Sequence, residues 1–196
     1  MCKPIMMMYI DSNNFYKNVQ ALYGAQRVNI YWNKVILGIR NKIQQDYDCY
    51  FSKAYYYSAL SDREDNPTIY DKHSAFLASL NAIPYIDVVI GKLTRVPIDS
   101  KIPIDKNNPA TYKHVEKNTD INISNDMLLS TADIVVLLSV DSDFENTVNL
   151  IKSKGKKVLL VVPIGAKSSQ MQQIVGRENI IFLDKAFFDN CSAHKV

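Results

Sequence analysis

Short apolar runs of strand length alternate with segments of helical periodicity along the chain. Unbroken apolar runs suit strands covered on both faces, and their alternation with helices predicts a parallel sheet. The predicted strands are Ile5–Ile10, Tyr50–Tyr57, Ile86–Ile90, Ile134–Val140, Lys157–Val162 and Ile180–Leu183. The predicted helices are Asn14–Tyr23, Tyr31–Gln45, Tyr70–Ala82, Ile121–Thr131, Asp143–Lys154, one near Ser168–Val175 and a terminal helix. The pattern indicates an α/β fold: a doubly wound, Rossmann-like, mostly parallel sheet with helices on both faces.

The length of 196 residues predicts a single domain over residues 1–196. Residues 91–111 interrupt the alternation with Pro97, Pro103 and Pro109 and with a near-repeat of Val-Pro-Ile-Asp. We expect an extended insertion or hairpin on the surface there, because proline disfavours a central strand. The formal net charge of +3 permits a polyanionic partner without requiring one.

Several classes of protein are excluded by missing sequence signals. Apolar runs stay far below the ~18 residues of a membrane helix, and the N-terminus lacks a small-residue cleavage site, so we expect a cytoplasmic protein. Cys2, Cys49 and Cys191 have neither a disulfide pattern nor a zinc spacing. Glycine-rich phosphate-binding turns are absent, which argues against a P-loop NTPase and a dinucleotide-binding protein.

Aspartates follow two of the predicted strands. Asp11 ends the first strand, while Asp141 and Asp143 follow the strand at 134–140, so these carboxylates leave the sheet at the same edge. They meet only if the two strands are neighbours. Asp120 begins a helix whose N-terminus lies at that edge, whereas Asp126 is about 9 Å further along the axis at ~1.5 Å per residue. Geometry therefore favours Asp120 over Asp126, and we keep both as candidates.

Carboxylates gathered at one point repel each other and need a cation unless they are protonated or paired. Oxygen ligands without cysteine or clustered histidine suit Mg²⁺ or Mn²⁺, ions that support phosphoryl-transfer chemistry. Each residue also has a simpler interpretation. The aspartates could cap helices or, at Asp126, lie on a solvated face, and Asn14 could be a turn residue rather than a ligand for phosphate or water.

Five segments in order resemble motifs of the NYN domain family, the LabA-like branch of the PIN-like nucleases. Residues 9–16, Tyr-Ile-Asp-Ser-Asn-Asn-Phe-Tyr, are similar to its Ile-Asp-Gly-x-Asn-Leu opening, and Lys-Ala-Tyr-Tyr-Tyr at 53–57 resembles its second strand. Residues 116–128 resemble Glu-Lys-Gly-Val-Asp-Val followed by Asp-Met-Leu. Leu-Leu-Ser-Val-Asp-Ser-Asp-Phe at 137–144 and Gly-Lys-Lys-Val at 155–158 continue the match. Ser12, Asn118 and Val140 replace family glycines.

The resemblance implies a PIN-like fold and a ribonuclease that depends on Mg²⁺ or Mn²⁺. It implies that water activated by the metal cleaves the RNA phosphodiester, leaving a 5′-phosphate and a 3′-hydroxyl. Asn14 would position substrate or water, and Asp126 matches a further family aspartate. The metal-binding acids that it implies are Asp11, Asp120, Asp141 and Asp143.

The RNA partner, single-stranded or structured, has candidate contacts in the basic residues around the insertion: Arg95, Lys101, Lys113 and Lys117. Tyr55–Tyr57 could stack on bases, although tyrosines in strands more often pack, and scattered lysines more often form a solvated face.

A non-catalytic RNA-binding or regulatory adaptor is the alternative function. Another phosphoryl-transfer enzyme is disfavoured by the residues that follow the first strand, and homo-oligomerisation stays open.

Overall fold

A computed structural model describes residues 2–106, 108–166 and 169–192 of the chain. Seven strands run in chain order: β1 Ile5–Asp11, β2 Tyr50–Leu60, β3 Ile86–Pro97, β4 Tyr112–Lys117, β5 Ile134–Leu138, β6 Lys157–Pro163 and β7 Ile180–Leu183. The helices are α1 Ser12–Ala21, α2 Trp32–Asp46, α3 Pro67–Asn81, α4 Thr119–Leu129, α5 Glu145–Ser153, α6 Ser169–Val175 and α7 Lys185–Cys191. The predicted α/β class is confirmed.

The strands form one sheet in the order β4-β3-β2-β1-β5-β6-β7. Pairing is parallel except between β3 and β4, which are antiparallel. β1 is the middle strand, with β2 on one side and β5 on the other. Ile10 lies beside Leu138, so the strand that ends in Asp11 and the strand that precedes Asp141 are neighbours, as the acidic-site hypothesis requires.

Two apolar clusters cover the two faces of the sheet, because successive strand side chains point to opposite sides. Met8 and Ile10 of β1 join the cluster that contains buried side chains of α1, α2, α3 and α7. Tyr9 joins the second cluster, with side chains of α4, α5 and α6. Helices therefore flank the central strand on both sides.

The segment at 91–111 departs from the sequence prediction. β3 does not end at Ile90 but continues to Pro97, and it pairs with β4, a strand that the apolar pattern did not reveal. The surface hairpin is thus an extension of the sheet. Pro97 is tolerated because it is the last residue of β3, and β4 forms the edge of the sheet.

Smaller differences concern the ends of elements. The strand predicted to Val140 ends at Leu138, and the helix predicted from Asp143 starts as a 3-10 turn over Ser142–Phe144. α6 begins at Ser169, and Ser168 lies outside the described residues. In the part of the chain that is described, no helix is both long and apolar enough to cross a membrane.

Candidate active site

Asp11 stands at the junction of β1 and α1 and is only 5% exposed. Its Oδ1 accepts a hydrogen bond from the Asn14 backbone N–H (3.1 Å), which caps α1, and its Oδ2 accepts one from Ser139 Oγ (2.9 Å). The pKa of this carboxyl is raised to about 6: burial is the largest cause, the charges of Asp120 and Glu116 add to it, and the two hydrogen bonds oppose it. The local fold therefore holds a carboxylate where its charge is costly.

The loop after β5 is tied to the start of α1. The Val140 N–H donates to Asn14 Oδ1 (3.1 Å), and the Asp141 N–H donates to Ser139 Oγ (3.2 Å). The Asp141 side chain accepts in turn from the Asp143 N–H (3.0 Å), so the capping interpretation is correct for one of its oxygens. Asn14 thus positions the loop that carries Asp141 and Asp143.

Asp120 enters the site from the first turn of α4. Partial desolvation raises its pKa, and the charges of Asp141, Glu116 and Asp143 raise it further. Because these charges act on Asp120 and Asp120 acts on Asp11, the four aspartates predicted as metal ligands share one electrostatic environment. The N-terminus of α4 brings an acid to the edge where β1 and β5 end.

Two local features let α4 begin at this place. Asn118 has φ 70°, the left-handed region that glycine favours and that asparagine tolerates better than most residues. Gly91 of β3 allows the Thr119 side chain to pack directly against it, where a Cβ would collide with Thr119 Oγ1. The buried Thr119 hydroxyl has no hydrogen-bond partner among the described residues. The start of α4 is therefore placed by backbone conformation and close packing.

Glu116 is an acidic member of the site that the sequence analysis did not select. It lies on β4, accepts a hydrogen bond from Asn13 Nδ2 (3.2 Å) and raises the pKa values of Asp11 and Asp120. Its position at the head of the 116–128 motif was the available signal, but without β4 nothing placed it beside the aspartates. Ser139, which bridges the two strand ends, was missed because serine carries no charge.

Asp126 is placed apart from the other aspartates. Its carboxylate accepts a hydrogen bond from Tyr57 OH (2.8 Å), and it is not among the charges that shift the pKa of Asp11 or Asp120. The helix geometry that favoured Asp120 accounts for this separation. The structure therefore gives Asp126 a supporting position beside Tyr57 of β2.

The basic residues predicted to contact RNA divide into two groups. Arg95 forms a close ion pair with Asp65, in which the two side chains are 11% and 8% exposed, and its guanidinium lies 5.5 Å from the Tyr112 ring centre. The Arg95 guanidinium therefore joins the hairpin to the loop that precedes α3. Because it is paired and largely covered, we no longer count it among the candidate RNA contacts. The side chains that remain exposed are those of Lys101, Lys113 and Lys117.

The tyrosines of β2 mostly pack against other side chains of the protein. Tyr56 and Tyr57 are buried in opposite apolar clusters, and Tyr55 stacks on Tyr9 with ring centres 5.3 Å apart. Continuous base stacking along this strand is therefore not available. Tyr56 nevertheless lines a cavity beside Asp11.

The donor set of the acidic site suits a hard divalent cation. It consists of carboxylates from β1, the loop after β5 and α4, whose mutual repulsion a cation would relieve. Within residues 2–106, 108–166 and 169–192, no three His, Cys, Asp or Glu side chains already stand in position to enclose an ion. Asp120 and Asp143 are exposed, whereas Asp11 is buried.

This fold, with an acidic site at the carboxyl ends of adjacent parallel strands, defines a class of α/β domains that includes the PIN-like nucleases. The chain matches the NYN domain over residues 6–177 and belongs to that family of PIN-like nucleases. No curated protein and no solved structure gives a match. The matched range contains all the aspartates of the site.

The departures from the family glycines are compatible with this backbone. Asn118 adopts the left-handed conformation, and Ser12 is buried in the first turn of α1. Val140 does not need that conformation, since in the described ranges Ala25 and Asn118 are the only non-glycine residues with positive φ. The acidic loops are thus formed without the glycines.

Proposed function

We propose that this protein is a ribonuclease of the LabA-like branch, on a doubly wound PIN-like fold, that hydrolyses RNA phosphodiester bonds at the acidic edge of its sheet. The observation that carries the proposal is that carboxylates from three separate segments lie at one edge of the sheet, where Asp11 is buried and joined through Ser139 to the loop that carries Asp141. Their negative charges raise the pKa values of Asp11 and Asp120, and repulsion of this kind opposes folding. Functional sites are where pKa values are shifted in this way.

Asp11, Asp120, Asp141 and Asp143 are the residues that would hold Mg²⁺ or Mn²⁺. When bound, the ion would supply charge stabilisation for a phosphodiester and a lower pKa for water. Asp11 is kept in one orientation by Asn14 and Ser139, so the most buried acid of the set is also the most rigidly held. Such preorganisation lowers the cost of arranging ligands and substrate.

Asn14 has a second role in the proposal. Its Oδ1 accepts from the Val140 N–H, which orients the side-chain amide beside Asp11. The Nδ2 group can then donate to a phosphate oxygen or to the attacking water. Lys101, Lys113 and Lys117 would add sequence-independent attraction for the RNA backbone that weakens with salt.

A non-catalytic RNA-binding adaptor is the second candidate. It is favoured by the lack of a ready-made group of three ligands in the described part of the chain. The two functions differ in what Mg²⁺ or Mn²⁺ does. In the nuclease the ion starts turnover, whereas in the adaptor RNA binds and stays intact.

The test is cleavage of end-labelled single-stranded RNA with Mg²⁺, Mn²⁺ or EDTA. Asp141→Asn keeps an oxygen that can accept from the Asp143 N–H and removes the charge, so it separates chemistry from folding. Asp46→Asn is the matched control, because Asp46 is an exposed residue at the end of α2, which precedes β2 and so lies at the opposite edge of the sheet. We expect metal-dependent cleavage by the wild type and by Asp46→Asn, and none by Asp141→Asn.

Two results would oppose the proposal. RNA binding without cleavage under any metal would favour the adaptor. Equal cleavage by Asp141→Asn and the wild type would place any nuclease activity elsewhere in the molecule.

A further inference from the structure

A cavity of about 400 Å³ opens beside the acidic site, and four aromatic side chains form part of its wall. It lies where α1 and the segment leading into α2 meet β2 and α3. The volume falls within the range of pockets that bind small organic groups. Its aromatic lining residues are Tyr16, Trp32, Tyr56 and Phe76.

The cavity and the acidic site share a wall. Ser12 and Asn13, which follow Asp11 directly, line the cavity, and so does Glu116. Asn13 donates to Glu116 across this boundary, while Glu116 acts electrostatically on Asp11 and Asp120. A group bound in the cavity is therefore next to a phosphodiester bound at the aspartates.

The aromatic side chains of the cavity differ in how far they are exposed to solvent. Trp32 and Tyr56 are 5% and 4% exposed and meet edge to face with ring centres 4.9 Å apart, which makes them the floor. Phe76 is 37% exposed and lies at the mouth, with its ring nearly parallel to that of His73. A partly exposed phenyl ring beside a buried aromatic pair offers a surface on which a planar ring can stack.

The polar groups of the cavity are neutral hydrogen-bonding groups rather than cations. Ser58 Oγ and His73 Nε2 lie 3.3 Å apart, and burial lowers the pKa of His73, which keeps the imidazole uncharged. Of the described residues that line the cavity, Glu116 alone carries a full charge, and this charge is negative. A phosphate is therefore unfavourable inside, whereas a flat heterocycle with donors and acceptors is suited to it.

We propose that this cavity holds an unstacked nucleobase of the RNA whose backbone lies at the acidic site, so that the substrate is single-stranded or locally unpaired RNA. This inference rests on the proposed ribonuclease function and names its substrate class. Bases in a duplex are stacked and paired, and one of them must leave the helix to enter such a pocket. Single-stranded RNA presents its bases without that cost.

The fluorescence of Trp32 tests the proposal, because Trp32 is the single tryptophan of the chain and lines the cavity. In EDTA, where cleavage does not interfere, the protein is titrated with a short oligouridylate, with the same strand annealed to its complement and with an abasic strand of equal charge. We expect saturable quenching by the single strand. We expect at least tenfold weaker apparent affinity for the other two.

Phe76→Ala is the variant for this titration, and Phe76→Tyr restores the stacking face. Phe182→Ala is the matched control, since Phe182 is exposed to a similar degree on β7, at the opposite lateral edge of the sheet. We expect Phe76→Ala to weaken the single-strand affinity about tenfold, and Phe76→Tyr and Phe182→Ala to leave it unchanged. The comparison of abasic and normal strands on the wild-type protein needs no variant to fold.

The outcomes distinguish the pocket from the ribonuclease function. Oligouridylate that binds by filter retention without changing Trp32 fluorescence would overturn the pocket and leave the function intact. Equal quenching by the normal and abasic strands would also overturn it. Base-dependent quenching in a protein that never cleaves RNA would support the pocket while the ribonuclease function fails.

Discussion

Ser139 Oγ donates a hydrogen bond to Asp11 Oδ2 across 2.9 Å and accepts one from the Asp141 N–H. One hydroxyl therefore joins the ends of β1 and β5, the two strands that carry the central acids. Ser139 is 1% exposed, so water cannot replace it without rearrangement. The mutual position of Asp11 and Asp141 depends on this residue.

Ser139→Ala should lower the free energy of unfolding by about 2 kcal/mol, because it leaves a buried carboxylate oxygen and a backbone N–H without their partner. Urea denaturation measures the change. The control is Ser153→Ala, which removes an exposed hydroxyl that donates only to the Leu150 carbonyl and should cost far less. Equal losses in the two variants would show that the bridge does not hold the site.

Asp11→Asn should stabilise the metal-free protein at pH 7 while abolishing RNA cleavage. The pKa of Asp11 rises from 3.8 to about 6 on folding, chiefly through burial, so its ionised form opposes folding above pH 6. The gain is at most about 3 kcal/mol at pH 7 and vanishes below about pH 4, where the carboxyl is protonated in both states. Urea titrations of both proteins from pH 4 to pH 7 measure this difference in the free energy of unfolding. A lower stability of Asp11→Asn than of the wild type at pH 7 would contradict the prediction.

Asn118→Val should lower the free energy of unfolding by about 1–2 kcal/mol, because a β-branched residue is strained at φ 70°. Asn118→Gly should be tolerated within about 0.5 kcal/mol, since glycine adopts this conformation without strain. Thermal or urea unfolding gives both values. If the two variants had the same stability, the left-handed backbone conformation assigned to Asn118 would be wrong.

Arg95→Ala should destabilise the hairpin, since it leaves the Asp65 side chain, 8% exposed, with His114 as its one remaining ion-pair partner among the described residues. Arg95 and His114 lower the pKa of Asp65 against its desolvation, so the contribution of the pair is present at neutral pH and is lost as the pH falls through that lowered pKa. Unfolding curves at several pH values measure this dependence. RNA affinity of the folded variant should not change.

Lys101→Glu tests the opposite case, a basic residue that is exposed and is expected to attract RNA. Lys101 is exposed, so charge reversal should leave stability within about 0.5 kcal/mol and weaken RNA binding most strongly at low salt. Binding measured over a range of salt concentrations gives the effect. A larger loss of RNA affinity with Arg95→Ala than with Lys101→Glu would reverse the roles assigned to the two residues.

The sequence indicated the strands that matter most for the site, because β1 and β5 are buried apolar runs that end directly at aspartates. It did not reveal β4, an edge strand rich in charged residues whose exposed and partly buried positions do not alternate regularly. Missing β4 meant missing Glu116 and overestimating the freedom of Arg95. Both errors arise from pairing between distant segments, Arg95 with Asp65 and Glu116 with Asn13, which no local pattern encodes.

The aromatic cavity was equally hidden from the sequence. Its wall joins Tyr16, Trp32, Tyr56 and Phe76 from four separate elements, and each of these residues taken alone is typical of an apolar core. The position of Asp120 was predictable, because it followed from the direction of a helix that precedes a parallel strand. Positions set by strand ends and helix direction could thus be predicted, whereas side-chain contacts and cavities formed between distant segments could not.

Whether the acidic site holds the ion that drives cleavage is tested by measuring Mn²⁺ binding by calorimetry and RNA cleavage over the same Mn²⁺ titration. If the acids hold that ion, the wild-type protein should give one dissociation constant in both experiments, and Asp141→Asn should lose both signals while Asp46→Asn keeps them. Cleavage that persists in EDTA, or Mn²⁺ binding that is unchanged in Asp141→Asn, would show that these acids are not the metal site of a nuclease.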